Sequence, residues 1–337
     1  MAGSRSVAEV AAAVAGADSP LAASPYEVLG VPASASHDDL RRAYRRKLRE
    51  THPDTGGAAK HFHAVQHAWE LIGTPEARAE FDRGGRRSTG TGAGAGESRT
   101  WAPAPPPKRP DSRPQARAYG HPGGWYRERY LDLLHEWAGR GVAVPDPYDA
   151  ALLRSAPREV RHLLAAAVAE EDTARVLSTL GIGFTVWHDV RTSAVGAVPA
   201  HNAARNDHGK LDHIVLGPTG LWAMLSEDWG EPIKTKRGEI IGQALGPGER
   251  PVHELSTRAR AFARAGRVRF SALVVVVPYG ASPEDVTPLG PVRGVQALVV
   301  QRPRLADLVR TGLPGVGVGG TDLFELRTRV ASAVQFI

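Results

Sequence analysis

The stretch that decides the fold of the N-terminal region reads LRRAYRRKLRETHPDTGG and covers residues 40–57. Apolar residues every four positions predict one buried stripe along an amphipathic helix, formed by Leu40, Tyr44 and Leu48. The nearly opposite side of this helix is basic and carries Arg42, Arg45, Arg46 and Arg49. Pro53 cannot continue the helix, and it disfavours a helical conformation for His52. We therefore expect a stiff loop that displays His52 and Asp54 outward.

Helix signals continue on both sides of this stretch. Ser24 is the expected N-cap of a short helix, with Pro25 at its first position. The next helix is expected to begin near Ser36. A further helix after the loop is predicted by apolar residues at positions i, i+3, i+7 and i+10, namely Phe62, Val65, Trp69 and Ile72. Two amphipathic helices joined by a short loop pack antiparallel, so residues 24–85 are predicted to form an all-α helical hairpin.

Residues 24–85 resemble the J-domain, the co-chaperone module of the DnaJ family. The matching segments are PYEVLGV, LRRAYRR, the tripeptide HPD and HAVQHAWELIGTPEARAEFD, in this order and at the spacing of the family. Lys47 departs from the family pattern, which often has leucine at this edge of the apolar stripe. The aliphatic stem of a lysine can still pack while its amine reaches water, so we expect only a small loss of core.

The resemblance implies a partner and a mechanism. J-domains dock on a DnaK-type chaperone that carries ATP, and their basic second helix meets an acidic face of its nucleotide-binding domain. Their HPD loop lies near the interdomain linker of the chaperone and promotes ATP hydrolysis. By this resemblance, His52, Pro53 and Asp54 stimulate the chaperone. Docking and orientation come from the basic side of the helix, which carries Arg42, Arg45, Arg46 and Arg49.

Length and composition limit what the rest of the chain can be. A chain of 337 residues suggests about two domains. The absence of cysteine excludes disulfides, cysteine-ligated zinc and a cysteine nucleophile, and with them the zinc modules of a full-length DnaJ. The net charge of +6 is too small to establish nucleic-acid binding by itself. Gly and Pro are concentrated between Gly84 and Gly124, a stretch without the Phe of the usual Gly/Phe segment. The expected organisation is a tail at 1–23, a J-domain at 24–85, a disordered linker at 86–124 and an α/β domain with N-terminal helices at 125–337.

The C-terminal region alternates between helical and β-prone segments. Helices are predicted at 125–139, 157–180, 252–265 and 302–310. Strands are predicted at 184–190, 210–217, 220–226, 272–277 and 295–300, with a tight Gly-Pro-Thr-Gly turn between the second and the third. This order of helix, antiparallel strands, helix and strand predicts a three-layer α/β domain.

Residues Glu170–Trp229, and more loosely the chain to Gly312, resemble the NERD domain, a nuclease-related family with a restriction-endonuclease-like core. The resemblance is carried by Glu171 in the first helix, VWHDV, LDHIVLGPTGLW and the following Asp228-Trp229-Gly230. Active members of this fold use an Asp and then Glu-x-Lys on the next strand. The two carboxylates ligate Mg²⁺, and the lysine stabilises charge on the attacking water or the phosphate.

The nuclease motif is incomplete in this sequence. Asp212 is in place, but Leu225 stands at the Glu position and Glu227 at the Lys position. An anion in place of the lysine opposes the charge that builds up during cleavage, so we expect a degenerate site without a metal. A rescued site would combine Asp212 with Glu227 or Asp228 and with Lys234 or Lys236. His201 and His208, in the loop at 192–209, are expected to be surface residues.

The sequence therefore predicts a J-domain co-chaperone that stimulates a DnaK-type ATPase, is not itself an enzyme and needs no cofactor. Its C-terminal domain would bind a target or client of unknown identity. The alternative is a nucleic-acid-binding or nuclease protein to which the J-domain recruits a chaperone. The most apolar run, Ala272–Val277, ends at Pro278 and is far shorter than the ~20 residues of a membrane helix. We expect a cytoplasmic protein without a membrane partner.

Overall fold

The computed structural model of the chain describes residues 19–21, 23–32, 34–52, 59–82, 101–103, 114–139, 141–192, 209–246, 248–314 and 323–337. The chain divides into two compact units, one helical and one built on a sheet. The helical unit comprises Ala22–Ala104 and Leu134–Pro157. The sheet unit comprises Met1–Leu21, Pro105–Leu133 and Arg158–Ile337.

The N-terminal region contains the three predicted helices and a fourth that was not predicted. They are α1 (Pro25–Leu29), α2 (His37–Thr51), α3 (Ala59–Ile72) and α4 (Pro75–Asp82). Ser24 caps α1, because its hydroxyl accepts from the Glu27 amide at 3.2 Å while the Glu27 carboxylate accepts from the Ser24 amide at 2.8 Å. Ser36 and Asp39 form the same reciprocal arrangement at α2. Each capping box satisfies two backbone N–H groups that a helix start otherwise leaves without partners.

The predicted apolar stripes meet in one core. Its buried members are Tyr26, Leu29, Leu40, Ala43, Val65, Ala68 and Ile72. The Tyr44 ring stacks on Trp69 with centroids 4.5 Å apart and planes 11° from parallel. Lys47 is one-third exposed, and its amine lies 2.9 Å from the Glu50 carboxylate. The Lys47 stem runs beside Gly30, so the predicted packing of stem and amine is confirmed.

A later segment, Leu134–Pro157, completes the helical unit. It contains the end of helix α5 (Gly124–Ala138), whose first ten residues belong to the sheet unit, and the whole of helix α6 (Ala150–Ser155). In α6, Arg154 donates to the Phe81 carbonyl at 3.0 Å, and its guanidinium lies 4.4 Å from the centre of the Phe81 ring. This grouping differs from the expected boundary, which assigned the whole of 125–337 to the C-terminal domain. The reason is a long-range contact that local composition does not record.

The sheet unit is built on a seven-stranded mixed sheet. The strands are β1 (Arg117–Tyr119), β2 (Thr185–Arg191), β3 (Lys210–Gly217), β4 (Gly220–Ser226), β5 (Lys234–Lys236), β6 (Glu239–Ile241), β7 (Ala272–Val277), β8 (Val286–Val292) and β9 (Val295–Gln301). The order in the large sheet is β1-β2-β3-β4-β7-β9-β8, and β5 and β6 form a separate hairpin. Strands β2, β3 and β4 are antiparallel, whereas β4, β7 and β9 are parallel.

Helices cover both faces of the large sheet, as the three-layer prediction requires. They are α7 (Arg158–Ser178), α8 (Pro251–Gly266), α9 (Arg302–Thr311) and α10 (Leu323–Ala333). Alternate residues of β7 enter two separate cores. Leu273 and Val275 pack in the core that includes α8 and α10, and Val274 and Val276 pack in the core that includes α7 and α9.

Several elements differ from the sequence prediction. Strand β1 lies inside the predicted linker, because the Ala116 amide donates to Ser178 O at 3.1 Å and the Arg117 amide to Phe184 O at 3.1 Å. Composition alone does not reveal these backbone contacts. Elements α4, α6, β5, β6, β8 and α10 were not predicted. Most of the predicted linker and the loop with His201 and His208 lie outside the described residues. Within the described chain, every helix is too short or too polar to cross a membrane.

Candidate functional site

The exposed side of α2 presents the four predicted arginines, which we call the basic face: Arg42, Arg45, Arg46 and Arg49. Arg42 lies 2.5 Å from the Asp39 carboxylate and Arg46 lies 3.8 Å from Glu50. Both ion pairs are exposed and follow helical spacing, and such pairs contribute little to stability because solvent screens them. The cost of exchanging them for carboxylates of a partner is therefore small.

Helix α2 ends at Thr51 with His52 as its C-cap, as the position of Pro53 predicts. The His52 backbone is extended, with φ −63° and ψ 133°. Its imidazole meets the Phe62 ring edge-on at a centroid distance of 5.1 Å, which ties the start of the loop to α3. Pro53 and Asp54 lie outside the described residues.

The sheet unit buries a second group of charged residues, which we call the lysine cluster: Lys210, Glu170, Asp189 and Asp212. Lys210 is the first residue of β3 and is 1% exposed. Its Nζ contacts Glu170 Oε1 and lies 2.5 Å from Asp189 Oδ1 and 3.2 Å from Asp212 Oδ1. The ammonium also lies 4.6 Å from the centre of the Tyr126 ring. Of this cluster, sequence reasoning had identified Asp212 alone.

Local backbone geometry brings the carboxylates to Lys210. Asp189 adopts a left-handed conformation with φ 50°. Val186 packs on the α7 side of the sheet and Val190 on the α8 side, although residues four apart on a regular strand share a face. The left-handed residue Asp189 lies between these two positions. On α7, Glu170 Oε2 accepts from the Gly123 amide at 2.9 Å, and a Cβ at Gly123 would lie 2.7 Å from a carbonyl of α7.

Burial and mutual charge set the protonation of the lysine cluster. Burial raises the pKa of Glu170 well above its ordinary value, and Asp212 raises it further. Burial by itself would lower the pKa of Lys210, but Asp212, Glu170 and Asp189 outweigh it and raise that pKa well above its ordinary value. Lys210 is therefore an ammonium at neutral pH. Burial and then Asp212 also raise the pKa of Glu227, which is 1% exposed.

Two buried histidines lie beside the cluster. His188 Nδ1 and His213 Nδ1 are 2.7 Å apart, and His213 Nε2 lies 3.0 Å from Ser226 Oγ. Burial and then Lys210 lower the pKa of His188 to about 4. Burial and then His188 lower the pKa of His213 well below its ordinary value. Both rings are neutral near pH 7, so one Nδ1–H donates to the other Nδ1. The Ser226 amide in turn donates to Asp212 Oδ2 at 2.7 Å.

The structure places Glu171, the predicted carboxylate of the first helix, outside the lysine cluster. Glu171 forms a bidentate ion pair with Arg127, at 2.6 and 2.8 Å, and does not join the lysine cluster. Its neighbour Glu170 takes that place. Adjacent helix positions point about 100° apart, and the sequence pattern did not settle which of the two faced the sheet.

The remaining predicted residues lie on β4 and just after it. Leu225 is 3% exposed and packs in the core on the α8 side of the sheet. The Asp228 carboxylate accepts from the Gly230 amide at 2.8 Å within its own turn. Lys234 and Lys236 are exposed on β5, and Lys210 is the lysine that contacts Asp212.

The lysine cluster does not fit the Mg²⁺ that active nucleases of the resembled fold use. Mg²⁺ requires near-octahedral oxygen ligands about 2.0–2.1 Å away. Here Glu170, Asp189 and Asp212 all direct an oxygen to Lys210 Nζ, which holds the position that a cation would need. Among the described residues, no three acidic or histidine side chains are grouped to hold a metal ion. The geometry is that of a buried ion network.

Comparison with known proteins identifies the helical region. The DnaJ domain family matches residues 24–82. Over 62 residues the chain is 48% identical to Chaperone protein DnaJ 1 of Cutibacterium acnes, which is 18% of this chain and 16% of that protein. Over 59 residues it is 49% identical to Chaperone protein DnaJ of Tropheryma whipplei, 17% of each chain. The chain thus spans about a sixth of the length of these relatives. Residues 24–82 are a J-domain.

Proposed function

We propose that the protein is a co-chaperone whose J-domain stimulates the ATPase of a DnaK-type chaperone. The observation that carries this proposal is a J-domain with its basic face exposed on α2 and with His52 ending that helix in an extended conformation. The basic face would steer and orient docking on an acidic surface of the chaperone. His52, Pro53 and Asp54 would then promote hydrolysis of the bound ATP.

The decisive experiment measures steady-state DnaK ATPase with the full-length protein and its Asp54→Asn variant. Loss of one partner of an interfacial hydrogen-bonded charge pair costs about 2–5 kcal/mol, or roughly 30- to 3000-fold. Asp38→Asn is the matched control, because it neutralises an exposed carboxylate in the first turn of α2, outside the basic face. We expect Asp38→Asn to stimulate like the wild type and Asp54→Asn to be inactive. More than half of the stimulated rate remaining in Asp54→Asn would refute the assignment.

The sheet unit, in the same proposal, is a targeting module related to the NERD domain and without nuclease chemistry. Its order of helix, antiparallel strands, helix and parallel strand supports the restriction-endonuclease-like assignment. The loss of chemistry is supported by Leu225 in the core and by an ammonium among the carboxylates near Asp212. The organisation proposed for the chain is an N-terminal J-domain followed by this module.

A cleavage assay tests the second half of the proposal. We expect the purified protein to leave plasmid and single-stranded DNA intact with Mg²⁺, and Mg²⁺ to leave its melting temperature unchanged. Asp212→Ala is the diagnostic variant, because Asp212 is the one residue of the nuclease motif that the chain retains. Wild-type cleavage that Asp212→Ala abolishes would overturn the degenerate-site proposal.

A further inference from the structure

The sheet unit carries a basic surface that the proposed function has not used. We call it the arginine surface, and its residues are Arg237, Arg250, His253, Thr257, Arg260, Arg264, Arg267 and Arg293. It begins at a cavity beside the start of α8 and continues along the exposed side of that helix.

The cavity has a volume of about 330 Å³ and is lined by Arg237, Arg250, His253 and Arg293. The carboxylate among its lining residues is Glu239, which is largely buried. That carboxylate accepts from the amides of Val252 and His253 at 2.9 and 3.2 Å, so its charge is directed to the first turn of α8. It also lies 3.7 Å from Arg250 Nε, so Arg250 is ion-paired and the guanidinium groups of Arg237 and Arg293 give the cavity its positive charge.

The exposed side of α8 extends this charge away from the cavity. His253, Thr257, Arg260 and Arg264 recur at helical spacing, and Arg267 follows as the C-cap. Arg260, Arg264 and Arg267 are exposed, and within the described chain no carboxylate lies within ion-pair distance of them. At about 1.5 Å per residue, the row from His253 to Arg267 is about 21 Å long.

Two hairpins present an arginine at the same cavity through the same turn. Arg237-Gly238 joins β5 to β6 with φ values of 53° and 75°, and Arg293-Gly294 joins β8 to β9 with φ values of 51° and 84°. Positive φ at both central residues defines the type I′ turn, which favours Asn-Gly. An arginine in the left-handed conformation costs about 1–2 kcal/mol, so these arginines are not explained by turn stability.

We infer that the arginine surface binds the phosphodiester backbone of double-stranded nucleic acid. The inference rests on the proposed targeting role of the sheet unit and names the class of its target. A row of about 21 Å corresponds to about six base-pair steps of 3.4 Å. The surface contains no Phe, Tyr or Trp on which successive unpaired bases could stack, and His253 is its one aromatic ring, which favours a duplex over a single strand. It also lacks the Trp and Tyr anchors that are common in protein–protein interfaces.

The test measures fluorescence anisotropy of short duplex DNA and duplex RNA with the full-length protein, between about 50 and 200 mM salt. The main variant is Arg237→Asn with Arg293→Asn, because Asn-Gly suits the turn and the variant should melt no lower than the wild type. The matched control is Arg304→Ala with Arg310→Ala, which removes the same charge from α9 on the other face of the sheet.

Contacts to four phosphates would give a slope of log K against log salt of about −3.6. We expect the turn variant to reduce the magnitude of this slope by about two, and the α9 control to keep the wild-type slope. Binding to duplex DNA or to duplex RNA supports the inference, and the duplex that binds more tightly identifies the kind of nucleic acid. The inference is overturned if both variants lose the same amount of affinity for the duplex, or if the wild type binds single strands as tightly as duplexes. It is also overturned if the turn variant weakens binding to phosphatidylserine vesicles as much as it weakens binding to the duplex. DnaK stimulation measured without nucleic acid should be normal in both variants, so a failure of the J-domain proposal is seen separately.

Discussion

Replacing Lys210 with methionine tests the lysine cluster directly. Methionine keeps most of the side-chain volume and removes the ammonium, so that Glu170, Asp189 and Asp212 lose their shared counter-charge. Removal of one partner from a buried ion pair typically costs about 3–5 kcal/mol, because the remaining charge stays in a poorly hydrated site. Salt does not relieve this loss, since buried charges are screened far less than exposed ones.

The assay is urea unfolding of the full-length protein, followed by the fluorescence of buried tryptophans such as Trp222. With a denaturant slope of about 2 kcal/mol per molar, a loss of 4 kcal/mol lowers the unfolding midpoint by about 2 M. The loss should shrink at pH 5, because carboxyl groups without the ammonium take up protons more readily. Lys236→Met is the control, since Lys236 is exposed on β5, and it should change stability by less than about 0.5 kcal/mol.

A Lys210→Met variant within about 1 kcal/mol of the wild type would refute the view that the ammonium holds the carboxylates together. Equal losses at both pH values would refute the electrostatic explanation and leave only altered packing.

Three further predictions concern other residues. His188→Asn should remove a pH-dependent contribution to the free energy of unfolding. The pKa of His188 is about 4 in the folded protein and 6.5 in the unfolded chain, so the unfolded chain binds the proton more readily. The stability that is present above pH 6.5 is therefore lost as the pH falls. The difference in unfolding free energy between wild type and variant should drop by about 2 kcal/mol from pH 7 to pH 5, and a constant difference would contradict the assignment. Arg45→Glu with Arg46→Glu should slow association with DnaK and weaken its salt dependence in stopped-flow measurements, and unchanged kinetics at low salt would count against the basic face. Arg154→Ala should speed amide exchange in α4 about 10-fold, through loss of its contacts with Phe81; unchanged exchange would show that α6 does not support α4.

The elements that the sequence predicted well are those with strong local signals. Strands β3 and β4 and the turn between them match the predicted bounds, because two apolar runs flank a Gly-Pro-Thr-Gly turn. Helix α2 is equally clear from its capping box and its apolar stripe. Strand β8 escaped prediction because it is half-exposed and contains Pro288, Gly290 and Pro291, which are unfavourable in a strand.

The candidate sites also differ in whether local sequence signals reveal them. The basic face follows from helical spacing, so the four arginines were predictable, whereas the role of the HPD loop stays a prediction. Lys210 was not identified, because a lysine at the start of a strand normally faces water. Its burial depends on Glu170 from α7 and Asp189 from β2. Asp189 has a left-handed backbone that no sequence motif predicts. The lysine two residues before Asp212, on the same strand, was the one available signal.

The buried ammonium of Lys210 also favours one alignment of β3 against β2. All eight residues of β3 are buried, so apolar side chains are available on both sides of the strand. A shift by one residue against β2 would exchange the two sides, and hydrophobic burial alone would oppose that shift only weakly. It would, however, carry Lys210 away from its carboxylates and into an apolar layer, at a cost of several kcal/mol. The charged residues thus make the native alignment of β2 and β3 the one that the chain can adopt without an unpaired buried charge.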